Sequence, residues 1–306
     1  MIAYFLLVLF GIFLVIIGAD FLVRSGSAIA RKLGASDLVI GMTIVALGTS
    51  IPELTVSLFA SSSDSADIAV SNVIGSNIVN ILVVVGFCAI LRSTPITEKE
   101  SVNVFGILML VSSLVFVVAI LDGKITQFEG ILFLVIFTII MIKIMKTGSS
   151  EEVSESKPWE YFLLPFGILL LYLGGGMTVT NAVKISKEAG ISEWVIGATV
   201  IAIGTSLPEL ATSLVATVKK QYNIGVGTII GSNIFNLLFV LGITSMLFPL
   251  AFQKNWFDVI IMIAASFMMI AFMKTGWSIS RKEGSILFAL YIFYILNLLV
   301  FKIDVF

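Results

Sequence analysis

The sequence has no histidine, a single cysteine (Cys88) and little charge: 12% of its 306 residues are Asp, Glu, Lys or Arg. Each shortage excludes something. Without histidine the chain lacks the usual proton relay, general base and metal ligand. One cysteine rules out a secreted disulfide scaffold. The charged fraction is about half that of a soluble globular domain, too little to cover the surface of a water-soluble enzyme. Disorder needs low hydrophobicity and high net charge, whereas 58% of these residues are apolar and the net charge is −1. So balanced a charge gives no sign of a nucleic-acid partner. What remains is a polytopic membrane protein, consistent with a mean hydropathy of +1.12.

A membrane helix needs about 20 mostly apolar residues. Ten stretches qualify, at roughly 2–23, 38–60, 68–91, 102–121, 130–146, 160–182, 194–217, 224–248, 257–273 and 284–301. The first lacks a basic leader and a small-residue cleavage site, so it reads as a retained helix. The longest polar stretch, 147–158, reads as a solvated loop, with Glu151, Glu152 and Glu155 on its face. Lys and Arg set the orientation. The loops after odd-numbered spans hold 13 of the 18 basic residues: Arg24, Arg31, Lys32, Arg92, Lys99, Lys143, Lys146, Lys157, Lys219, Lys220, Lys274, Arg281 and Lys282. The other loops and the tail hold Lys124, Lys184, Lys187, Lys254 and Lys302. This predicts a protein of the cytoplasmic membrane with loop 147–158 inside and both termini outside. Trp159, Trp194, Trp256 and Trp277 fall at span ends, as an aromatic belt requires.

The chain repeats itself at a constant offset of 156 residues. Gly34 matches Gly190. The run VIGMTIVALGTSIPEL from Val39 matches VIGATVIAIGTSLPEL from Val195, and VIGSNIVNIL from Val73 matches IIGSNIFNLL from Ile229. Across 38–60 and 194–216, 14 of 23 positions are identical; across 70–86 and 226–242, 10 of 17 are. The identities include Gly, Thr, Ser, Pro, Glu and Asn, so shared apolar bias does not explain them. Each repeat has five spans, an odd number, so the second enters the membrane inverted. The predicted fold is all-α: ten transmembrane helices in two inverted five-helix repeats, 1–146 and 159–306. Transporters built this way place their site at the midplane between the repeats.

Glu53 and Glu209 sit deep inside spans 2 and 7. A carboxylate at a membrane-helix centre costs roughly 2.5–3.5 kcal/mol on insertion scales, so two at matched positions demand a reason. Each ends a G-T-S-x-P-E element: Gly48, Thr49, Ser50, Pro52, Glu53, and Gly204, Thr205, Ser206, Pro208, Glu209. Proline lacks an N–H and clashes with the carbonyl four residues back. Pro52 and Pro208 therefore free carbonyls near Gly48 and Gly204, those of Ala46 to Thr49 among them, and a bound cation can satisfy them. Spans 3 and 8 add Asn72, Ser76, Asn77 and Asn80, and Ser232, Asn233 and Asn236, with Gly75 and Gly231 permitting close helix approach. Spacing of four residues puts Ser76 with Asn80, Ser232 with Asn236, Thr49 with Glu53, and Thr205 with Glu209 on common faces. The sum is an all-oxygen cage, which suits hard cations such as Ca²⁺ or Na⁺ rather than zinc or copper. Ser and Thr alone are often only helix–helix glue; a duplicated Pro-Glu followed by a duplicated G-S-N-I-x-N is not. Asp20, whose repeat counterpart is Gly176, reads as a boundary or structural residue; Asp37 and Glu193, after Ser36 and Ser192, read as helix starts.

At these residues the chain resembles the cation/calcium antiporter superfamily, especially the compact prokaryotic sodium/calcium exchangers. The resemblance spans the ten-helix frame, with alpha repeats at about 34–86 and 190–242. It implies that spans 1 and 6 slide across a core of spans 2, 3, 7 and 8. It implies ion ligation by Thr49, Ser50, Glu53, Thr205, Ser206 and Glu209, completed by Ser76, Asn80, Ser232 and Asn236 and by the carbonyls of Ala46 and Ala202. One position departs: such exchangers usually carry Asp at the place of Asn236, so a third negative charge is missing. The expected function is Na⁺/Ca²⁺ antiport, with Ca²⁺ extruded on the Na⁺ gradient. The alternatives are Ca²⁺/H⁺ antiport, the two Glu carrying the protons, and K⁺-assisted exchange. A passive cation channel would also use broken helices and carbonyls, but a closed cage between inverted repeats points to occlusion. An intramembrane protease would need a His base or paired Asp. Ca²⁺, Na⁺ and the bilayer are the expected partners. The residues call for no enzyme activity, no cofactor and no obligate protein partner.

Overall fold

A computed structural model describes residues 2–62, 66–147, 157–189, 202–251 and 256–301. Among them, seven helices are long and apolar enough to cross a membrane, or eight if one bent pair counts as a single span. The helices are numbered in chain order, the two parts of a broken helix sharing a number. They are α1 (Ile2–Leu33), α2a (Asp37–Thr49), α2b (Ile51–Ser62), α4 (Lys99–Ala119), α5 (Gln127–Thr147), α6 (Leu163–Glu188), α7a (Ala202–Thr205), α7b (Leu207–Val218), α9 (Trp256–Lys274) and α10 (Arg281–Phe301). The third, α3, is α-helical over Ala66–Val79, π-helical over Asn80–Val85 and α-helical again over Gly86–Leu91. The eighth, α8, repeats this pattern over Tyr222–Ile234, Phe235–Val240 and Leu241–Leu247. Gly190, Glu193, Trp194 and the start of the seventh span lie outside the described residues, as do Glu151, Glu152, Glu155, Lys254 and Lys302.

Burial separates the helices into inner and outer sets. The most apolar window of α3 is 83% buried and that of α8 94%, against 22% for α1 and α5. The inner pair therefore carries the core, and the outer helices present Phe5, Phe13, Phe128 and Phe166 outward. Helix starts follow ordinary capping chemistry. Ser36 accepts from the Val39 N–H at 3.3 Å, as expected for the start of the second span. Thr126 with Glu129 and Ser280 with Glu283 form reciprocal capping boxes, each Glu accepting a backbone N–H at 2.7 Å.

Two features depart from the linear reading. α1 runs about ten residues past the expected end at residue 23, to Leu33. Its continuation is small and buried (Ser25, Gly26, Ser27, Ala28) and packs on α2a, where a Cβ at Gly26 would stand 3.2 Å from Val45. The described residues also include four two-residue strands, β1 (Thr94–Pro95), β2 (Lys124–Ile125), β3 (Leu250–Ala251) and β4 (Ser278–Ile279). β1 pairs with β4 and β2 with β3, both antiparallel. Pieces this short carry no amphipathic period and are invisible to pattern reading.

The halves interlock rather than lie side by side. The strand pairs join them, and so do the helices. A Cβ at Gly284 on α10 would stand 2.7 Å from the Gly86 carbonyl of α3, and one at Gly130 on α5 would stand 2.8 Å from the Gly242 carbonyl of α8. α1 and α6 run antiparallel, with Gly174 against Gly11 and Gly167 against Gly18. Adding 156 to Gly11 and Gly18 yields Gly167 and Gly174, so this interface pairs each repeat with the other's equivalent positions. Close backbone approach at small residues is the usual means of helix association in lipid.

Candidate ion-binding site

The site begins with two broken helices. α2a passes through a π-helical turn at Gly41–Val45 and ends at Thr49. Ser50 leaves helical geometry (φ −84°, ψ 4°), and α2b continues at an angle of 42°. Ser206 does the same between α7a and α7b (φ −87°, ψ 8°). Pro52 and Pro208 fall in the first turn of the continuing helix, where a missing N–H costs nothing. The π-helical segments of α3 and α8 start at or beside Asn80 and Asn236. Such segments interrupt the regular ladder and are frequent at functional sites.

These breaks bring the two motifs together. Thr49 and Ser232 share a hydroxyl hydrogen bond of 3.2 Å, and Ser76 and Thr205 share one of 3.4 Å. Each links a G-T-S element to the other repeat's G-S-N element. Glu53 and Glu209 are completely buried. Glu53 feels the charge of Glu209 and has Ser76 beside it; Thr49, Ser232 and Ser50 flank Glu209. None of these neighbours reaches hydrogen-bond geometry with a carboxylate. Both carboxylates, Ser50 Oγ, Ser206 Oγ, Asn80 Oδ1 and Asn236 Oδ1 thus have no hydrogen-bond partner among the described residues. Eight buried oxygens in matched pairs are left without one. Buried polar groups are normally satisfied, and six to eight oxygens are what Ca²⁺ takes. Among the described residues no three His, Cys, Asp or Glu side chains cluster. The site is two carboxylates among neutral oxygens.

All ten side chains expected from the motifs are buried around this junction. The Ala46 carbonyl accepts from the Ser50 N–H at 3.0 Å and from the Thr49 hydroxyl at 3.2 Å. Both of its lone pairs are thus engaged within the protein. Ala202 opens α7a as the repeat counterpart of Ala46. The glycines differ. A Cβ at Gly231 would stand 2.6 Å from the Met42 Cα, so α8 does approach α2a closely; one at Gly75 would meet nothing within 4 Å. The expected close approach at Gly75 is therefore not seen among the described residues.

The motifs counted Asn72, Asn77 and Asn233 among the polar residues that spans 3 and 8 add to the cage, but not among the expected ligands. Asn236 Nδ2 donates to Asn77 Oδ1 at 3.0 Å, and Asn80 Nδ2 to Asn233 Oδ1 at 3.1 Å. Asn77 Nδ2 in turn donates to the Asn233 carbonyl at 3.3 Å. With their N–H₂ groups turned to the partner repeat, Asn80 and Asn236 aim their oxygens elsewhere. Asn77 and Asn233 thus orient the amides in the manner of outer-shell groups around a metal. Their signal was the duplicated G-S-N-I-x-N itself, whose first Asn was left out of the expected ligand set. Asn72 donates to the Glu53 carbonyl and to Ser57 Oγ, tying α3 to α2b. A cavity of about 560 Å³ between α6, α2b and α7 reaches this junction, with Pro52, Thr205 and Pro208 in its wall.

An all-helical membrane protein with buried carboxylates and unpaired oxygens at broken helices is of the cation-transporter class. Comparison with known proteins places it further. The chain belongs to the sodium/calcium exchanger protein family, whose model matches residues 3–145 and 159–300. It is 37% identical to a putative antiporter, CaxA, of Alkalimonas amylolytica, over 94% of this chain and 96% of that protein. It is 31% identical to the sodium/calcium exchanger MaX1 of Methanosarcina acetivorans, over 96% and 98%. Among solved structures it resembles the sodium-calcium exchanger NCX_Mj, soaked with Na⁺ and Sr²⁺ and described in terms of extracellular ion exchange and induced binding-site occlusion. The TM-score is 0.84 and the identity 32%, covering 97% of this chain and 98% of that one. The family consists of exchangers, and cation/Ca²⁺ exchange is the activity it supports.

Proposed function

We propose that this chain is a secondary antiporter that exchanges Na⁺ for Ca²⁺ across the cytoplasmic membrane, with Ca²⁺ leaving as Na⁺ enters. The observation that carries this is the pair of fully buried carboxylates, Glu53 and Glu209, set among unpartnered hydroxyl and amide oxygens. Two carboxylates balance one Ca²⁺ or more than one Na⁺. The ligands are Thr49, Ser50, Glu53, Ser76 and Asn80 with their counterparts Thr205, Ser206, Glu209, Ser232 and Asn236, and the carbonyls of Ala46 and Ala202. Loss of the cation leaves two buried charges uncompensated, at roughly 2.5–3.5 kcal/mol each on insertion scales. An empty site therefore opposes closure of the protein around it. That penalty couples the fluxes, because the carboxylates released by Ca²⁺ must take Na⁺ before the site crosses the membrane.

Alternating access follows from the ten-span, inverted-repeat reading. Equivalent residues of the two halves meet across α1 and α6, and the hydroxyl and amide bonds interchange under the 156-residue offset. Both support a pseudo-two-fold axis in the membrane plane. α1 and α6 then move as one unit over the core of α2, α3, α7 and α8. The basic-residue split puts loop 147–158 inside, so the cavity beside Thr205 opens outward.

The test is ⁴⁵Ca²⁺ uptake into proteoliposomes with Na⁺, K⁺ and pH gradients imposed separately. The Na⁺ gradient is expected to drive uptake, and Glu53→Gln or Glu209→Gln to abolish it. Full transport by both variants overturns the site. Uptake driven by the pH gradient without Na⁺ replaces Na⁺ by H⁺ as the counter-ion, and a K⁺ requirement makes the exchange K⁺-assisted.

A further inference from the structure

Asp20 is the only acidic residue of α1 and takes no part in the ion site. It lies between two cations. Arg24, one turn on, meets its Oδ2 at 2.7 Å, and Lys219, at the end of α7b, meets its Oδ1. The Lys219 contact joins α1 to α7b, across a mainly aliphatic groove of about 900 Å³ between the two helices. A second polar contact lies nearby, where Gln221 Nε2 donates to Ser27 Oγ of α1. Lys219 stands on a firm base. The turn after α7b closes with the Gln221 N–H on the Ala216 carbonyl at 2.8 Å, through Lys220 in left-handed geometry (φ 62°). That is a Schellman-type cap, which pins the last turn.

The two halves differ here. The repeat counterparts of Asp20 and Ser27 are Gly176 and Val183. A Cβ at Gly176 would meet nothing within 4 Å, and Gly176 lines the 560 Å³ cavity beside Thr205. In an otherwise matched pair of helices, one end is tied to the core by charge. The equivalent place at the other end is a glycine facing open space. α1 and α6 are joined along their glycine faces, so a tie on α1 restrains both.

We propose that Asp20 and Lys219 form an ionic latch between the α1–α6 unit and the core, which holds the molecule with the ion site reached from the Gly176 side; the groove beside Asp20 is lined by none of the candidate ligands, whereas the cavity beside Gly176 is lined by Thr205. They are positioning residues, not ion ligands. The proposal rests on the alternating-access reading. A partly buried pair of this kind sets a population ratio of about three- to tenfold. Breaking it shifts molecules toward the opposite state and changes the rate of exchange without removing a ligand.

The experiment reads the cavity directly. Cys88 is the only cysteine, so Cys88→Ser provides a thiol-free background, and Thr180→Cys places one thiol in the cavity wall. Labelling by a membrane-impermeant maleimide is followed in proteoliposomes. Asp20→Asn and Lys219→Gln are each expected to slow labelling by about 1.5-fold or more, since loss of a ratio of about three to ten takes the open state from about three-quarters or nine-tenths of the molecules to half. The double variant should do no more than either alone, and Lys219→Arg should label as the background does. Unchanged labelling in both single variants, or additive effects in the double, overturns the latch. ⁴⁵Ca²⁺ flux in the same vesicles separates the two proposals. If the background protein shows no gradient-driven flux, the exchange reading falls. If it exchanges while both single variants label at its rate, the latch alone falls.

Discussion

Asn80 and Asn236 show how one hydrogen bond decides what a residue offers. An amide presents an acceptor on one side and a donor on the other. Fixing the donor on Asn233 or Asn77 leaves the acceptor for the cation. In Asn77→Ala, Asn236 loses its acceptor, and a net hydrogen bond is worth about 1 kcal/mol. The KM for Ca²⁺ is therefore expected to rise about fivefold with maximal flux largely kept, in the proteoliposome assay. Asn236→Asp acts in the opposite sense. A third carboxylate strengthens the pull on a divalent ion more than on a monovalent one, and the same assay should show a lower KM for Ca²⁺. The candidate ligands themselves were legible because each is unusual in a membrane helix and occurs twice. The orienting role of Asn77 and Asn233 was not, since it depends on which residue of the other half each one meets.

At the scale of elements, the broken helices and the glycine seams do different jobs. The breaks at Ser50 and Ser206 follow from Pro52 and Pro208 and were readable as such. The seam between α1 and α6 was not. Gly174, Gly175 and Gly176 are consecutive, and no periodicity says which of them faces α1. A Cβ at Gly174 would stand 2.7 Å from the Gly11 carbonyl, while one at Gly175 would meet nothing within 4 Å. Gly174→Leu is thus expected to push α1 and α6 apart, at a cost of about 1–3 kcal/mol or more. A clear fall in the melting temperature of the detergent-solubilised protein should report it. Gly175→Ala should leave that temperature within about a degree or two, since it fills open space and favours the helix.

For the whole molecule, the halves are tied at their ends as well as through their centre. Glu98, just before α4, is half-buried beside the start of α2a. It accepts from Asn223 of α8 at 2.9 Å. Burial raises its carboxyl above the ordinary value of 4.5; the nearby Ser36 hydroxyl and Leu38 N–H and the hydrogen bond from Asn223 oppose the rise, and the charge of Asp37 adds to it. The folded state therefore binds this proton more tightly than the unfolded chain. Its stabilising contribution is full below about pH 4.5 and is lost as pH climbs through the raised folded value. Glu98→Gln should flatten that part of the stability profile, measured as melting temperature between pH 4 and 8. An unchanged slope would remove Glu98 from this role.

Apolar length and the 156-residue offset are properties of a linear string. The sequence alone therefore determined the membrane class, the expected spans, the duplication and the residues suited to a hard cation. Scarcity of charge made Glu53 and Glu209 visible at once. The tertiary structure decided what depends on contact between distant segments. It set the cross-repeat bonds of Thr49 with Ser232 and Ser76 with Thr205, the amide pairs that aim Asn80 and Asn236, and the strand clasps at the ends. It also decided the use of Asp20, which the sequence marks only as an unmatched acid near the end of its expected span. Asp20 and Lys219 are 199 positions apart, and only the packing of α1 on α7b brings their charges together.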